Sequence, residues 1–138
     1  MADFKLTGGC FCGGVRYSVT APAVDTHHCH CSICRKFHGA IFVTLSIFPR
    51  DAFTYDTGTA NLGTYNSSEK VRRHFCKTCG CPITLDLVEN PDVIAVATGT
   101  IDNGQWPGSP RNELRHAFAP SKVGWFEITD GLPQKEGL

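Results

Sequence analysis

Eight cysteines fall into three tight clusters, and that spacing constrains the chain more than any other feature. The first is Cys10-Phe11-Cys12, the second Cys29-His30-Cys31-Ser32-Ile33-Cys34, and the third Cys76-Lys77-Thr78-Cys79-Gly80-Cys81. Thiolates one or two residues apart can point at one ion, and zinc takes the geometry its ligands impose. The competing use of so many cysteines is a disulfide framework. Close neighbours in one cluster bridge each other poorly. The first nine residues, Met-Ala-Asp-Phe-Lys-Leu-Thr-Gly-Gly, hold no apolar stretch long enough for a secretion signal. A cytoplasmic chain keeps its thiols reduced, and metal binding is the expectation.

Composition narrows the remaining classes. The 138 residues suit a single domain over 1–138 with a modest core, and no apolar run approaches membrane-spanning length. Thirteen basic side chains balance thirteen acidic ones, without the basic excess of a nucleic-acid binder. The one basic run, Lys70-Val71-Arg72-Arg73-His74, puts its charges on both faces and reads as a solvated strand rather than a phosphate-binding patch.

Fourteen glycines and eight prolines punctuate the chain at short intervals, which predicts many strands joined by turns. Val15, Tyr17 and Val19 alternate with Arg16, Ser18 and Thr20 as a half-buried strand. Extended segments are expected over 26–30, 40–48, 53–56, 62–65, 71–75, 83–88, 93–98 and 114–118. The turn Glu89-Asn90-Pro91-Asp92 should make a hairpin of 83–88 and 93–98. Ser32 to His38 should form one or two helical turns stopped by Gly39, residues 103–110 a loop, and 133–138 a frayed tail. The fold class expected is all-β, mainly antiparallel, with one short helical segment.

The pattern Cys76-x-x-Cys79-Gly80 is a zinc knuckle that supplies two ligands, and a closed site needs four. Cys10 and Cys12, flanked by Gly8-Gly9 and Gly13-Gly14, are the natural partners. Such a structural zinc contributes on the order of 10 kcal/mol of apparent folding energy. Cys29, Cys31 and Cys34 remain. They make either an open zinc site or a second closed one completed by Cys81 or by His27, His28, His30 or His38. A zinc held by three thiolates is a weak Lewis acid for water but still holds an incoming thiol as thiolate, so a sulfur nucleophile and a small electrophile are the expected reactants.

The clusters, in this order and spacing, resemble the glutathione-dependent formaldehyde-activating family, which includes the centromere protein V-like domain. The matching stretches are Gly9-Cys10-Phe11-Cys12-Gly13, Cys29-His30-Cys31-Ser32-Ile33-Cys34-Arg35-Lys36, Gly39-Ala40, and Arg73-His74-Phe75-Cys76-Lys77-Thr78-Cys79-Gly80. His116, Trp125 and Asp130-Gly131-Leu132-Pro133 also fit. The resemblance implies a β-tent fold and two zinc ions per chain. Cys10, Cys12, Cys76 and Cys79 would hold the structural ion, and Cys29, Cys31 and Cys34 the catalytic one. The implied activity is condensation of formaldehyde with glutathione to S-hydroxymethylglutathione, a carbon–sulfur lyase reaction. A fold does not fix a substrate, so another thiol or small carbonyl, or a non-catalytic zinc module that binds a protein partner, stays open.

Among other residues, Cys81 is expected to be a buried small side chain. Arg35, Lys36, Arg73, Arg111 and Arg115 are each expected first as solvent-facing charges; as cations for the carboxylates of glutathione, the best placed is Arg73, beside the third cluster. His116 is a candidate proton shuttle or a satisfied structural histidine, and Trp106 and Trp125 are core or rim. No feature of the sequence sets the oligomeric state.

Overall fold

The computed structural model describes residues 3–138. Ten strands form two sheets: β1 (Leu6–Gly9), β2 (Arg16–Val19), β3 (Asp25–Cys29), β4 (Val43–Pro49), β5 (Phe53–Thr57), β6 (Leu62–Asn66), β7 (Val71–Cys76), β8 (Pro82–Leu87), β9 (Val93–Ala97) and β10 (His116–Ala117). The small sheet runs β1-β2-β5, and the large one runs β10-β3-β4-β9-β8-β7-β6. Every pairing is antiparallel except the short parallel contact of β10 with β3. The only α-helix among the described residues, α1 (Ser32–His38), stops where Gly39 takes the left-handed conformation at φ 60°. The chain is thus all-β with one short helix. Among the described residues no helix is long and apolar enough to cross a membrane.

Period-two alternation, shifted at Ile83 where the β7–β8 register jumps, sorts the core into two clusters on opposite faces of the large sheet. Phe48, Ile83, Ile94 and Val96 pack on one face against Val15, Tyr17, Val19 and Phe53 of the small sheet, and Cys10 and Cys76 belong to this cluster. On the other face Val43, Leu45, Leu85 and Ala95 surround Cys29 and, from α1, Cys34. Both sheets are therefore needed for the first cluster, whereas the second combines the large sheet with α1 and takes no strand of the small sheet.

Three expectations change. The segment 114–118 yields a strand of only two residues, and β1 is an additional strand held in register by Leu6 opposite Val19 and Gly9 opposite Arg16. The tail over 133–138 is docked rather than frayed. Lys135 N–H donates to His116 O at 2.8 Å and Phe118 N–H to Gly137 O at 3.0 Å, so the tail satisfies backbone groups that β10 would otherwise leave open.

Candidate metal centres

The structure brings Cys10, Cys12, Cys76 and Cys79 together with their sulfurs all within 4.8 Å of one another. Cys10 and Cys12 sulfurs lie 3.5 Å apart, and those of Cys12 and Cys76 3.8 Å. Four thiolates around zinc at about 2.3 Å would be about 3.8 Å apart along each tetrahedral edge, so the group fits that ion. Local structure sets the geometry. Gly13 and Gly80, both at φ +79°, turn the chain immediately after each cysteine pair. The Val15 amide donates to Cys10 Sγ at 3.3 Å and the Asn61 side chain to Cys76 Sγ at 3.5 Å. In the metal-free chain, amides of the Cys12 and Cys81 region lower the Cys79 thiol to about 6. Cys81 lies beside this group, where burial pushes its thiol up, and its sulfur points at the Pro82 carbonyl 3.5 Å away.

Cys29, Cys31 and Cys34 form a second group, again with every sulfur within 4.8 Å of the others. No fourth His, Cys, Asp or Glu among the described residues joins it at that distance. Cys81 is with the other group, and His27, the nearest histidine on the same face of β3, is turned to Asp25 by a 2.9 Å hydrogen bond. His28 Nδ1 is engaged by Thr44 and His30 Nε2 by His116. Cys29 and Cys34 are buried, and Cys31, at the start of α1, is the partly exposed member. Three thiolates can bind a zinc ion and leave a coordination position for a substrate sulfur.

One cation is built into this group. Arg73 is only 4% exposed. Its Nη2 donates to Cys34 Sγ at 3.4 Å, its Nε to Ser67 Oγ at 2.8 Å, and its guanidinium lies 5.3 Å from the centre of the Phe37 ring. Hydrogen bonds from Cys29 and then Arg73 bring the Cys34 thiol down to about 5, while Cys29, sharing that proton and buried, is pushed up. Arg73 therefore serves the sulfur and is not free for a substrate carboxylate. Arg115 is paired with Asp25 at 2.6 Å, Arg111 lies over Trp106, and Arg35 donates to the His30 carbonyl. Lys36 alone of the five lies open in a groove of about 740 Å³ between α1 and β6, lined by Ser32, Ile33, Phe37, Tyr65 and Ser67. Ser67 and Phe37 carried no signal in the sequence, because their role depends on Arg73 facing inward.

His116 is 1% exposed and bonded on both sides, Nδ1 to His30 Nε2 and Nε2 to Asp130 Oδ2, each at 2.8 Å. Trp106 is half-buried and donates to the Ser109 carbonyl, while Trp125 is 77% exposed.

This β protein carries a four-cysteine group drawn from distant parts of the chain and a local three-cysteine group, each with the geometry to hold a metal ion. Its residues 5–122 match the glutathione-dependent formaldehyde-activating enzyme family, and the chain belongs to that family. A Halomonas elongata protein, provisionally named a glutathione-dependent formaldehyde-activating enzyme, is 29% identical over 130 residues, covering 89% of this chain and 80% of its own. A Penicillium rubens protein provisionally given the same name is 32% identical over 73 residues, 51% of this chain but 38% of its own length. A Rhodobacter sphaeroides protein of known crystal structure shares the fold, with a TM-score of 0.60 and 23% identity over 75% of this chain and 99% of its own.

Proposed function

We propose that the chain is a zinc-dependent enzyme of the carbon–sulfur lyase type that makes or breaks a thiol–aldehyde adduct. Glutathione and formaldehyde, giving S-hydroxymethylglutathione, are the leading pair. The observation that carries this reading is the three-cysteine group, which no fourth His, Cys, Asp or Glu among the described residues joins within 4.8 Å. Cys10, Cys12, Cys76 and Cys79 would hold a structural zinc, and Cys29, Cys31 and Cys34 a catalytic one. When bound by three thiolates, zinc supplies a place where an incoming thiol is held deprotonated near neutral pH.

The chain's own residues do the rest. Cys29 and Cys34 fix the site in the core, and the partly exposed Cys31 marks the side open to solvent. Arg73 favours the thiolate form of Cys34 through its N–H···S hydrogen bond. Lys36, in the adjoining groove, offers a cation to a thiol that carries a carboxylate. In the forward direction the substrate sulfur forms a bond to the carbonyl carbon, the C=O π pair moves to oxygen, and solvent protonates that oxygen. The reverse releases thiolate and aldehyde. Eight free thiols fit a reducing cytoplasm. The family name and the relatives support the substrate class.

The test is exchange between formaldehyde and its glutathione adduct, followed by NMR on zinc-loaded protein. Faster exchange than in buffer, lost in Cys31→Ser with the fold retained, is the expected result. No acceleration over the uncatalysed reaction removes this substrate pair.

A further inference from the structure

On the face of β3 opposite Cys29, His28, His116 and Asp130 bring one ligand atom each to within 4.8 Å of the others. Strand alternation explains the separation. His28 pairs with Thr44 and faces one way, while Cys29 pairs with Val43 and faces the other. The parallel strand β10 sets His116 opposite His28, with ring centres 4.9 Å apart. Asp130 is delivered by the C-terminal segment, which is docked on β10 by His116 N–H to Pro133 O at 2.9 Å and Lys135 N–H to His116 O at 2.8 Å.

Each of the three groups is held from behind. His28 Nδ1 meets Thr44 Oγ1 at 2.7 Å, His116 Nδ1 meets His30 Nε2 at 2.8 Å, and Asp130 Oδ1 accepts the Leu132 amide at 3.0 Å. That engagement leaves His28 Nε2, His116 Nε2 and Asp130 Oδ2 facing one another, the last two joined by a 2.8 Å hydrogen bond whose proton an ion would replace. Metal-ligating histidines characteristically have the second ring nitrogen fixed in this way. Phe42 packs against both rings, 5.0 Å from His28 and 5.8 Å from His116, and limits their rotation. The Asp130 side chain is 46% exposed, so an ion can enter from solvent and keep bound water.

We propose that His28, His116 and Asp130 form a third metal site, distinct from both cysteine groups, that takes a first-row divalent transition ion on two imidazoles and one carboxylate. Imidazole selects zinc, iron(II), cobalt or nickel over magnesium and calcium, and three ligands on one side leave positions for water. On binding, the ion replaces the proton shared by His116 Nε2 and Asp130 Oδ2, and that proton leaves to solvent.

The test uses the full chain, kept reduced and saturated with zinc at its cysteines, then titrated with further Zn²⁺ by calorimetry while bound metal is counted by elemental mass spectrometry. One further equivalent is expected. His28→Gln and Asp130→Asn should each weaken it at least about tenfold, Thr44→Val should weaken it about 10- to 100-fold by freeing the His28 ring, and Glu127→Gln, at an exposed carboxylate outside the group, should leave it unchanged. Asp130 is an exposed group, so its variant tests the site even where His28→Gln folds poorly. Saturation without a further equivalent overturns the proposal, as does a further equivalent that survives both His28→Gln and Asp130→Asn. Neither result depends on thiol–aldehyde activity.

Discussion

Replacing Arg73 by Met separates the role of this buried cation in the cysteine site from any role in folding. The guanidinium has three engagements, with Cys34 Sγ, Ser67 Oγ and the Phe37 ring, while its Nη1 is buried without a partner. A hydrogen bond to a charged group contributes about 1.5–3 kcal/mol. At about 1.4 kcal/mol per tenfold, its loss should weaken zinc binding at Cys29, Cys31 and Cys34 by roughly 10- to 100-fold. Stability should move far less. Met follows the same path beside Phe37, and the change also removes a desolvated charge and an unsatisfied N–H, which offsets the lost contacts to within about 1 kcal/mol. Competition with a chelator of known zinc affinity reads the first quantity, with the zinc proposed for the four-cysteine group as internal reference. Denaturant unfolding reads the second. Arg73→Lys keeps the charge but presents a single ammonium that cannot serve Ser67 and Cys34 as a fork does, and it should fall between the two. Unchanged zinc affinity in Arg73→Met, or a loss of affinity that only mirrors a loss of fold, would refute the assignment.

The remaining predictions address the frame around the site. Cys76→Ser should leave the chain largely unfolded by circular dichroism, because structural zinc contributes roughly 10–16 kcal/mol against a total stability of about 5–15; equal loss in Cys31→Ser would count against different roles for the two groups. Burial pushes the Tyr17 phenol, fully enclosed, up to about 12. Its contribution is therefore complete below the unfolded value near 10 and is lost as pH rises through 12, about 3 kcal/mol in all. Tyr17→Phe should flatten that alkaline decline in denaturant midpoints, and a decline of undiminished slope would assign it elsewhere. Gly58 sits at φ +84°, and a Cβ there would lie 2.2 Å from the Gly14 carbonyl oxygen and 2.8 Å from Val15 Cα. Both are backbone atoms, so Gly58→Ala should cost at least about 2 kcal/mol in equilibrium unfolding; a cost under about 1 would mean that the segment after Cys12 yields freely.

What the sequence disclosed and what it concealed divide by range. Ligand spacing within each cysteine cluster is local, and an element as regular as Val15-Tyr17-Val19 shows its buried face by alternation alone. The run 70–74 reads as a solvated strand with charges on both faces; Arg72 is exposed as expected, but Arg73 is buried. Which arginine turned inward depended on Cys34 and Phe37 arriving from α1, a long-range fact that no window of sequence contains. The strand β1 was hidden for another reason: Leu6-Thr7-Gly8-Gly9 has little β propensity. Pairing with β2 makes it a strand, and Gly8 is required because a Cβ there would lie 2.3 Å from the Tyr17 hydroxyl. The docked tail has no apolar stripe either, and backbone hydrogen bonds to β10 and the residues after it hold it in place.

The two core clusters give a physical reason why the cysteine groups should differ in role. Cys10 and Cys76 lie in the cluster that spans both sheets, and their group ties the segment after β1 to the end of β7. Releasing an ion there would loosen the packing of one sheet on the other. Cys29 and Cys34 lie in the smaller cluster, on the far face of the large sheet, where α1 begins within the same short stretch of chain. Their loop is closed locally by the helix and by the pairing of β3 with β4, so the fold there does not depend on a fourth ligand. A site whose surroundings are held by sheet pairing can exchange a substrate sulfur without unfolding. A site that joins the sheets cannot, and in this chain the group with four cysteines is the one that joins them.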